Sequence, residues 1–256
     1  MRLEDKVIVV TGGGSGIGEG MARRFAREFP RGLVVADIDL DRVTRVAEQI
    51  GAHPVRTDVS EPEDNRRLVE ETEDRFGPVD LFCANAGFGA TGDEQTDPDE
   101  WNRMWQVNVM SHVHAARFLM PGWLASGEGY FLSTASAAGL LTNLKAAQYS
   151  VTKHAAVAFA EWLAIAYGRR GLKVSCLCPQ AVITGMYKGD GGSAGVDGAL
   201  SAEQVAGEIV KVMGEERFLV LPHPTVLDYM RNKTADYDRW IGGMQKLYAK
   251  HQGEKR

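Results

Sequence analysis

The stretch Val7-Ile8-Val9-Val10-Thr11-Gly12-Gly13-Gly14-Ser15-Gly16-Ile17-Gly18 sets the reading of the whole chain. Its continuous β-branched run suits a strand buried on both faces, and the glycines after it mark a tight turn that opens a helix. Glycine there lets backbone amides approach an anion at the positive helix end, as in a cradle for a dinucleotide pyrophosphate. It is not a Walker loop, because no Gly-Lys-Ser/Thr follows. Working outward, further strand-length apolar runs fall at Leu33–Ala36, Pro54–Thr57, Leu81–Ala84, Tyr130–Ser133, Val174–Leu177 and Phe218–Leu221. Helical patterns separate them. Asp97-Pro98-Asp99-Glu100 supplies a cap, a first-position proline and acids in the first turn, and Ser60 and Ser201 precede similar acidic turns. This βαβα order predicts an α/β fold, a doubly wound parallel sheet with helices on both faces.

The 256 residues are 44% hydrophobic and 25% charged, ordinary globular usage that excludes disorder and fibrous repeats. With no internal repeat or Pro/Ser-rich linker, residues 1–256 read as one domain with a helical extension over about 223–250. A net charge of −5 gives no electrostatic reason to bind nucleic acid or an anionic membrane. No apolar run reaches the 18 or so residues of a membrane span, and the start Met-Arg-Leu-Glu-Asp-Lys has no apolar signal core, so a cytoplasmic location is expected. Cys83, Cys176 and Cys178 lie in apolar runs and read as buried reduced thiols, with no metal site expected. Residues 188–198 hold five glycines and read as a loop that could serve as a lid. In the extension, Tyr237, Trp240, Ile241, Met244, Leu247 and Tyr248 follow three-and-four spacing, with ordinary packing onto the body as the expectation.

Asp37 ends the second strand, 25 residues after Gly12. A carboxylate there accepts from adenosine ribose hydroxyls and repels a 2′-phosphate, which favours NAD over NADP. Arg42 lies one helical turn on. Further along, Tyr149-Ser150-Val151-Thr152-Lys153 falls in a helical segment, so Tyr149 and Lys153 share a face about 6 Å apart along the axis. A phenol titrates near 10; an ammonium about 4 Å away is worth on the order of 4 kcal/mol at an effective dielectric of 20. That brings the phenol into working range for proton exchange with an alcohol.

Taken together, Thr11-Gly-x-x-x-Gly16-x-Gly18, Asn85-Ala86-Gly87, Asn108, Ser136, Tyr149-x-x-x-Lys153 and Pro179-x-x-Val182-x-Thr184 resemble the short-chain dehydrogenase/reductase family over roughly residues 6–221. The resemblance implies a single-domain, seven-stranded Rossmann fold and hydride transfer between a nicotinamide and an alcohol or carbonyl carbon. By the resemblance, Tyr149 is the general acid/base and Ser136 hydrogen-bonds the substrate oxygen. Lys153 lowers the tyrosine pKa and holds the nicotinamide ribose, and Asn108 holds a relay water. Gly12, Ser15, Gly16, Ile17 and Gly18 would face the pyrophosphate, Asp37 and Ile38 the adenosine ribose, and Asp58 and Val59 the adenine. Asn85, Ala86 and Gly87 would line the centre of the cofactor, and Pro179, Val182 and Thr184 the carboxamide end.

Two positions depart from the family pattern. Ala84 stands where a second Asn is frequent. Gln180 replaces the glycine that usually follows the proline; it could point into the substrate site and donate to a substrate carbonyl, or tilt the loop. The expected pocket positions are Phe88, Ala137, Ala138, Leu140, Leu141, Asn143, Gln148, Gln180, Ala181, Met186 and Tyr187, which include no cation to meet a carboxylate or phosphate. A neutral, fairly hydrophobic secondary alcohol or ketone with NAD is the leading reading. The alternatives are an NADP-dependent carbonyl or 3-oxoacyl-thioester reductase and, from another class, a nicotinamide-sensing partner without catalysis. His112, His114 and His154 read as packing or surface residues. The helix carrying Ala155, Ala156, Val157, Phe159, Ala160, Trp162, Leu163 and Ile165 is apolar around much of its circumference, so a homodimer or homotetramer is expected.

Overall fold

The computed structural model describes residues 1–185 and 195–252. Its strands are β1 (Val7–Thr11), β2 (Gly32–Asp37), β3 (His53–Arg56), β4 (Leu81–Ala84), β5 (Gly129–Thr134), β6 (Leu172–Leu177), β7 (Val182–Ile183), β8 (Leu200–Ser201) and β9 (Leu219–Val220). The helices are α1 (Gly16–Ala26), α2 (Leu40–Ile50), α3 (Pro62–Phe76), α4 (Pro98–Trp105), α5 (Ser111–Ser126), α6 (Ala138–Leu141), α7 (Ala147–Tyr167), α8 (Ala202–Gly214), α9 (Thr225–Ala235) and α10 (Tyr237–Gln252). Seven strands pair in parallel in the order β3-β2-β1-β4-β5-β6-β9, the doubly wound Rossmann order. Each of the seven apolar runs read from the sequence is one of these strands. β7 and β8 form a separate two-stranded piece.

The burial of both strand faces follows from the covering helices. Val9, Phe82 and Phe131 point into one core with Leu68, Leu119, Ala156, Ala160 and Leu163 of α3, α5 and α7. The alternate residues Ile8, Val10, Leu81 and Leu132 pack with Met21, Phe25, Val205 and Ile209 of α1 and α8. Each fully buried Leu, Ile or Phe side chain contributes about 1.5–3 kcal/mol of transfer free energy, so these two layers dominate the stability. Strand order reverses between β1 and β4, which opens a crevice at their carboxyl ends. Thr11 closes its floor: its Oγ1 donates to the Cys83 carbonyl and accepts from the Asn85 and Ala86 amides.

Helix starts follow the sequence reading with one exception. Asp97 accepts from the Asp99 amide at 2.8 Å, and Ser201 forms a full capping box with Gln204. Ser60 is not a cap: α3 begins at Pro62, and the Ser60 amide and hydroxyl both bond to Asp58. A turn closed two residues back by a carboxylate wins over helix entry there.

Most of the loop 188–198, with Met186 and Tyr187, lies outside the described residues. The expectation for the helical extension is corrected. Trp240 packs on Ala137, Leu141 and Val226, but Tyr237, Ile241 and Tyr248 remain exposed, because α10 leans on α9 rather than on the sheet layers. All three cysteines are buried free thiols. No helix among the described residues is long and apolar enough to cross a membrane.

Candidate active site

The crevice is shaped first by glycine. Gly12 adopts φ +65°, and a β-carbon on it would stand 2.9 Å from Ala86 Cα; one on Gly18 would run into the Gly12 carbonyl. The turn therefore presents bare backbone between β1 and α1. Ser15, the residue before α1, makes no side-chain bond to the first turn, so those amides stay available to an anion. Across the turn, Thr184 packs its side chain against Gly16. These features fit a dinucleotide pyrophosphate.

At the end of β2, Asp37 accepts from the Gly14 amide at 3.0 Å through Oδ2 and from the Asp39 amide at 3.1 Å through Oδ1. It is not the cap of α2; Asp39 is, accepting from the Arg42 amide. Arg42 lies against the glycine turn but is paired with Asp39 at 3.0 Å. Ile38 is exposed beside Asp37. Asp58 is tied by its amide to Asp64 and by its carboxylate to Ser60, while Val59 is buried. Asn85 spends its side-chain amide on the Thr11 carbonyl at 2.9 Å.

The second half of the crevice lies over β5, α7 and the junction of α4 and α5. A π-helical turn, Gln106–Met110, joins those two helices; its wider register turns Asn108 inward. Fully buried, Asn108 accepts from the Phe88 amide and donates to the Phe88 carbonyl and to Thr152 Oγ1. Both of its amide protons are spent, while Oδ1 keeps a second lone pair beyond the Phe88 amide. Asn108 Oδ1 and Lys153 Nζ both lie against Gly87, 3.0 and 3.3 Å from where a β-carbon would stand. Lys153, 3% exposed, donates to the Thr134 carbonyl at 3.0 Å. Ser136 follows β5; its Oγ accepts from the Ala138 amide and donates to the Pro179 carbonyl at 3.4 Å. Tyr149 is near enough to Ser136 for that hydroxyl to act on its pKa, and its ring lies against Gly89.

The electrostatics correct the sequence reading. Lys153 Nζ is 5.7 Å from the centre of the Tyr149 ring. Burial pushes the Tyr149 pKa up, with the Ser136 hydrogen bond opposing. Burial likewise pushes Lys153 down to about 8, against the thiols of Cys176 and Cys178, whose sulfurs sit 3.8 Å apart. For both groups desolvation is the largest cause of the shift.

The expected pocket positions divide. Ala137 and Leu141 are buried under Val226, Tyr229, Met230 and Trp240, so they form a packed wall. Gln148 points away from the site towards Thr91 and Gly92, with no room there for a β-carbon on Gly92. Phe88 carries Arg103 over its ring at 5.2 Å. His112 is buried on Ser133, its pKa pushed down to about 3 by burial and the Lys153 charge; His154 bonds the Ser150 carbonyl. Sequence reasoning missed the Thr134 carbonyl under Lys153, because a contact between a strand end and a helix 19 residues on has no local sequence signal.

Comparison with known proteins agrees with this geometry. The family model described as short chain dehydrogenase matches residues 6–191, and the chain belongs to that family. The chain is 33% identical, over 94% of its length and 91% of the relative's, to 1-deoxy-11-beta-hydroxypentalenate dehydrogenase of Streptomyces exfoliatus. Among solved structures it is similar to a short-chain dehydrogenase/reductase from Burkholderia phymatum in complex with NAD, with a TM-score of 0.85, 31% identity, and coverage of 93% of this chain and 96% of that one. It is also similar to a 3-ketoacyl-(acyl-carrier-protein) reductase from Brucella melitensis complexed with NADH, with a TM-score of 0.79, 31% identity, and coverage of 86% and 96%. This is an oxidoreductase of the kind that acts on hydroxyl and keto groups.

Proposed function

We propose that the protein is an NAD-dependent dehydrogenase of neutral, fairly hydrophobic secondary alcohols, acting on the corresponding ketones in reverse. The observation that carries this is the convergence of the Ser136 hydroxyl, the Tyr149 phenol and the buried Lys153 on the glycine-walled crevice. A bound nicotinamide supplies the hydride acceptor or donor; the chain supplies everything else. Ser136 Oγ–H donates to the substrate oxygen and stabilises developing alkoxide charge in a dry pocket. Tyr149 exchanges the hydroxyl proton with that oxygen. Lys153, held by the Thr134 carbonyl, stabilises the phenolate form and faces the nicotinamide ribose. Asn108 fixes Phe88, and with it the wall Gly87–Gly89, and would hold the relay water that links Lys153 to solvent. Gly12 to Gly18, Asp58, Val59, Asn85 to Gly87, Pro179, Val182 and Thr184 hold the cofactor.

Asp37 selects NAD: the side chain that accepts from Gly14 presents its charge where a 2′-phosphate would stand. The dehydrogenase relatives support a hydroxyl-bearing small-molecule substrate, and the buried wall of Ala137 and Leu141 supports an apolar body for it. The exposed Val151, Trp162 and Ile165 of α7, with Ile165 83% exposed, support a homo-oligomer through that helix. Steady-state oxidation of cyclohexanol and larger alicyclic alcohols, run separately with NAD and NADP, tests the reading. The expected result is turnover with NAD at least tenfold more efficient than with NADP.

A further inference from the structure

β6 leads through Cys178, whose amide is held by the Val220 carbonyl, to Pro179 at the carboxyl edge of the sheet. The Pro179 carbonyl accepts from the Ala137 amide at 2.9 Å and from Ser136 Oγ. Gln180 therefore leaves from the peptide that anchors the residue proposed to hold the substrate oxygen. Its own amide donates to His223 Nδ1 at 3.3 Å, and His223, 4% exposed, sits where β9 turns into α9. Accepting at Nδ1 leaves the proton of the neutral ring on Nε2. The backbone at residue 180 is thus fixed from behind.

The side chain is not. Gln180 Oε1 is buried and has no hydrogen-bond partner among the described residues; the same holds for His223 Nε2. The neighbouring residues Ala181, Ala137, Leu141 and Val226 are buried and apolar in their side chains. The Asn108 carboxamide, by contrast, is bonded at both its oxygen and its nitrogen, whereas Asn65 and Gln148 each have an unpaired oxygen but lie away from the Pro179–Ser136 anchor. An acceptor stripped of water without a replacement costs stability, and a ligand donor recovers that cost.

We propose that Gln180 is a specificity-determining residue that accepts a hydrogen bond from a second hydroxyl of the substrate, close to the reacting carbon; this rests on the dehydrogenase reading above. A hydroxyl has the proton that Oε1 lacks, whereas a carbonyl or a bare hydrocarbon leaves Oε1 unpaired. The substrates are therefore secondary alcohols with a neighbouring hydroxyl, and the reverse substrates are hydroxyketones.

The test compares kcat/KM for cyclohexanol and trans-cyclohexane-1,2-diol with NAD in the wild-type enzyme, Gln180→Met and Gln180→Glu. Methionine keeps length and volume with only a weak thioether acceptor, and glutamate keeps a strong acceptor. The wild type is expected to favour the diol by about tenfold or more through KM. Gln180→Met abolishes that preference with cyclohexanol unchanged, and Gln180→Glu retains it. Turnover of both alcohols with the same ratio in wild type and Gln180→Met overturns the proposal alone. Silence of the wild type on both overturns the dehydrogenase reading and this proposal with it.

Discussion

Lys153 Nζ lies 5.7 Å from the centre of the Tyr149 ring and is bonded to the Thr134 carbonyl, so the cation is anchored to the end of β5 beside the phenol. Burial at that place depresses the lysine pKa to about 8 and raises that of the tyrosine. The charged form needed for chemistry is held at the expense of the fold.

That conflict has a measurable sign. The unfolded lysine titrates near 10.4 and the folded one near 8, so between those values the unfolded state binds more protons and stability rises with pH. Below about pH 8 the destabilisation is full. Lys153→Met is expected to raise Tm at pH 7 by several degrees, from roughly 2 kcal/mol after loss of the Thr134 bond, while lowering kcat/KM at least a hundredfold. Thermal melts at pH 7 and pH 10 check it: the gain shrinks at pH 10. A variant less stable than wild type at pH 7 contradicts the reading.

Asp37 carries the cofactor choice through its bond to Gly14. Asp37→Asn keeps an acceptor for that amide but removes the charge. NADP binding is expected to tighten by about tenfold or more, with NAD weakened only a few-fold, as measured by calorimetric titration of both. An unchanged NAD-to-NADP ratio removes Asp37 from the account.

Gly18 has the Gly12 carbonyl where its β-carbon would be. Gly18→Ala therefore forces the turn apart. The expected loss is about 1–3 kcal/mol of stability and at least a tenfold rise in NAD Kd, read from melts and titration of the same preparation. Wild-type affinity in this variant contradicts the placement of the pyrophosphate on that turn.

Trp162 and Ile165 leave a large apolar area on α7 open to solvent. The pair Trp162→Glu and Ile165→Lys is expected to convert a dimer or tetramer into monomer in light scattering at micromolar concentration. A monomeric wild-type protein contradicts the oligomer.

How much of this was legible in the residues depends on the range of the interaction. The strands were, because runs such as Val7–Thr11 and Tyr130–Ser133 are apolar without alternation, and both faces of the sheet are covered. The glycine turn and the Tyr149/Lys153 face were, because both are local geometry. The π-helical turn at Asn108 was not, since a one-residue change of helical register leaves the composition of Gln106–Met110 unremarkable. Nor were the two-residue strands β7 and β8, which are too short for periodicity. The direction of the Tyr149 shift was misread because pair spacing along a helix is visible in sequence and desolvation is not.

The most direct test of the central claim is turnover of alicyclic secondary alcohols with NAD by wild-type protein and by Tyr149→Phe, following the absorbance of reduced nicotinamide. The account predicts oxidation by the wild type and a loss of about a thousandfold or more in the variant, with NAD affinity retained, since only the exchanged proton is removed. Equal turnover in the two proteins, or NAD binding with no turnover in either, would contradict it.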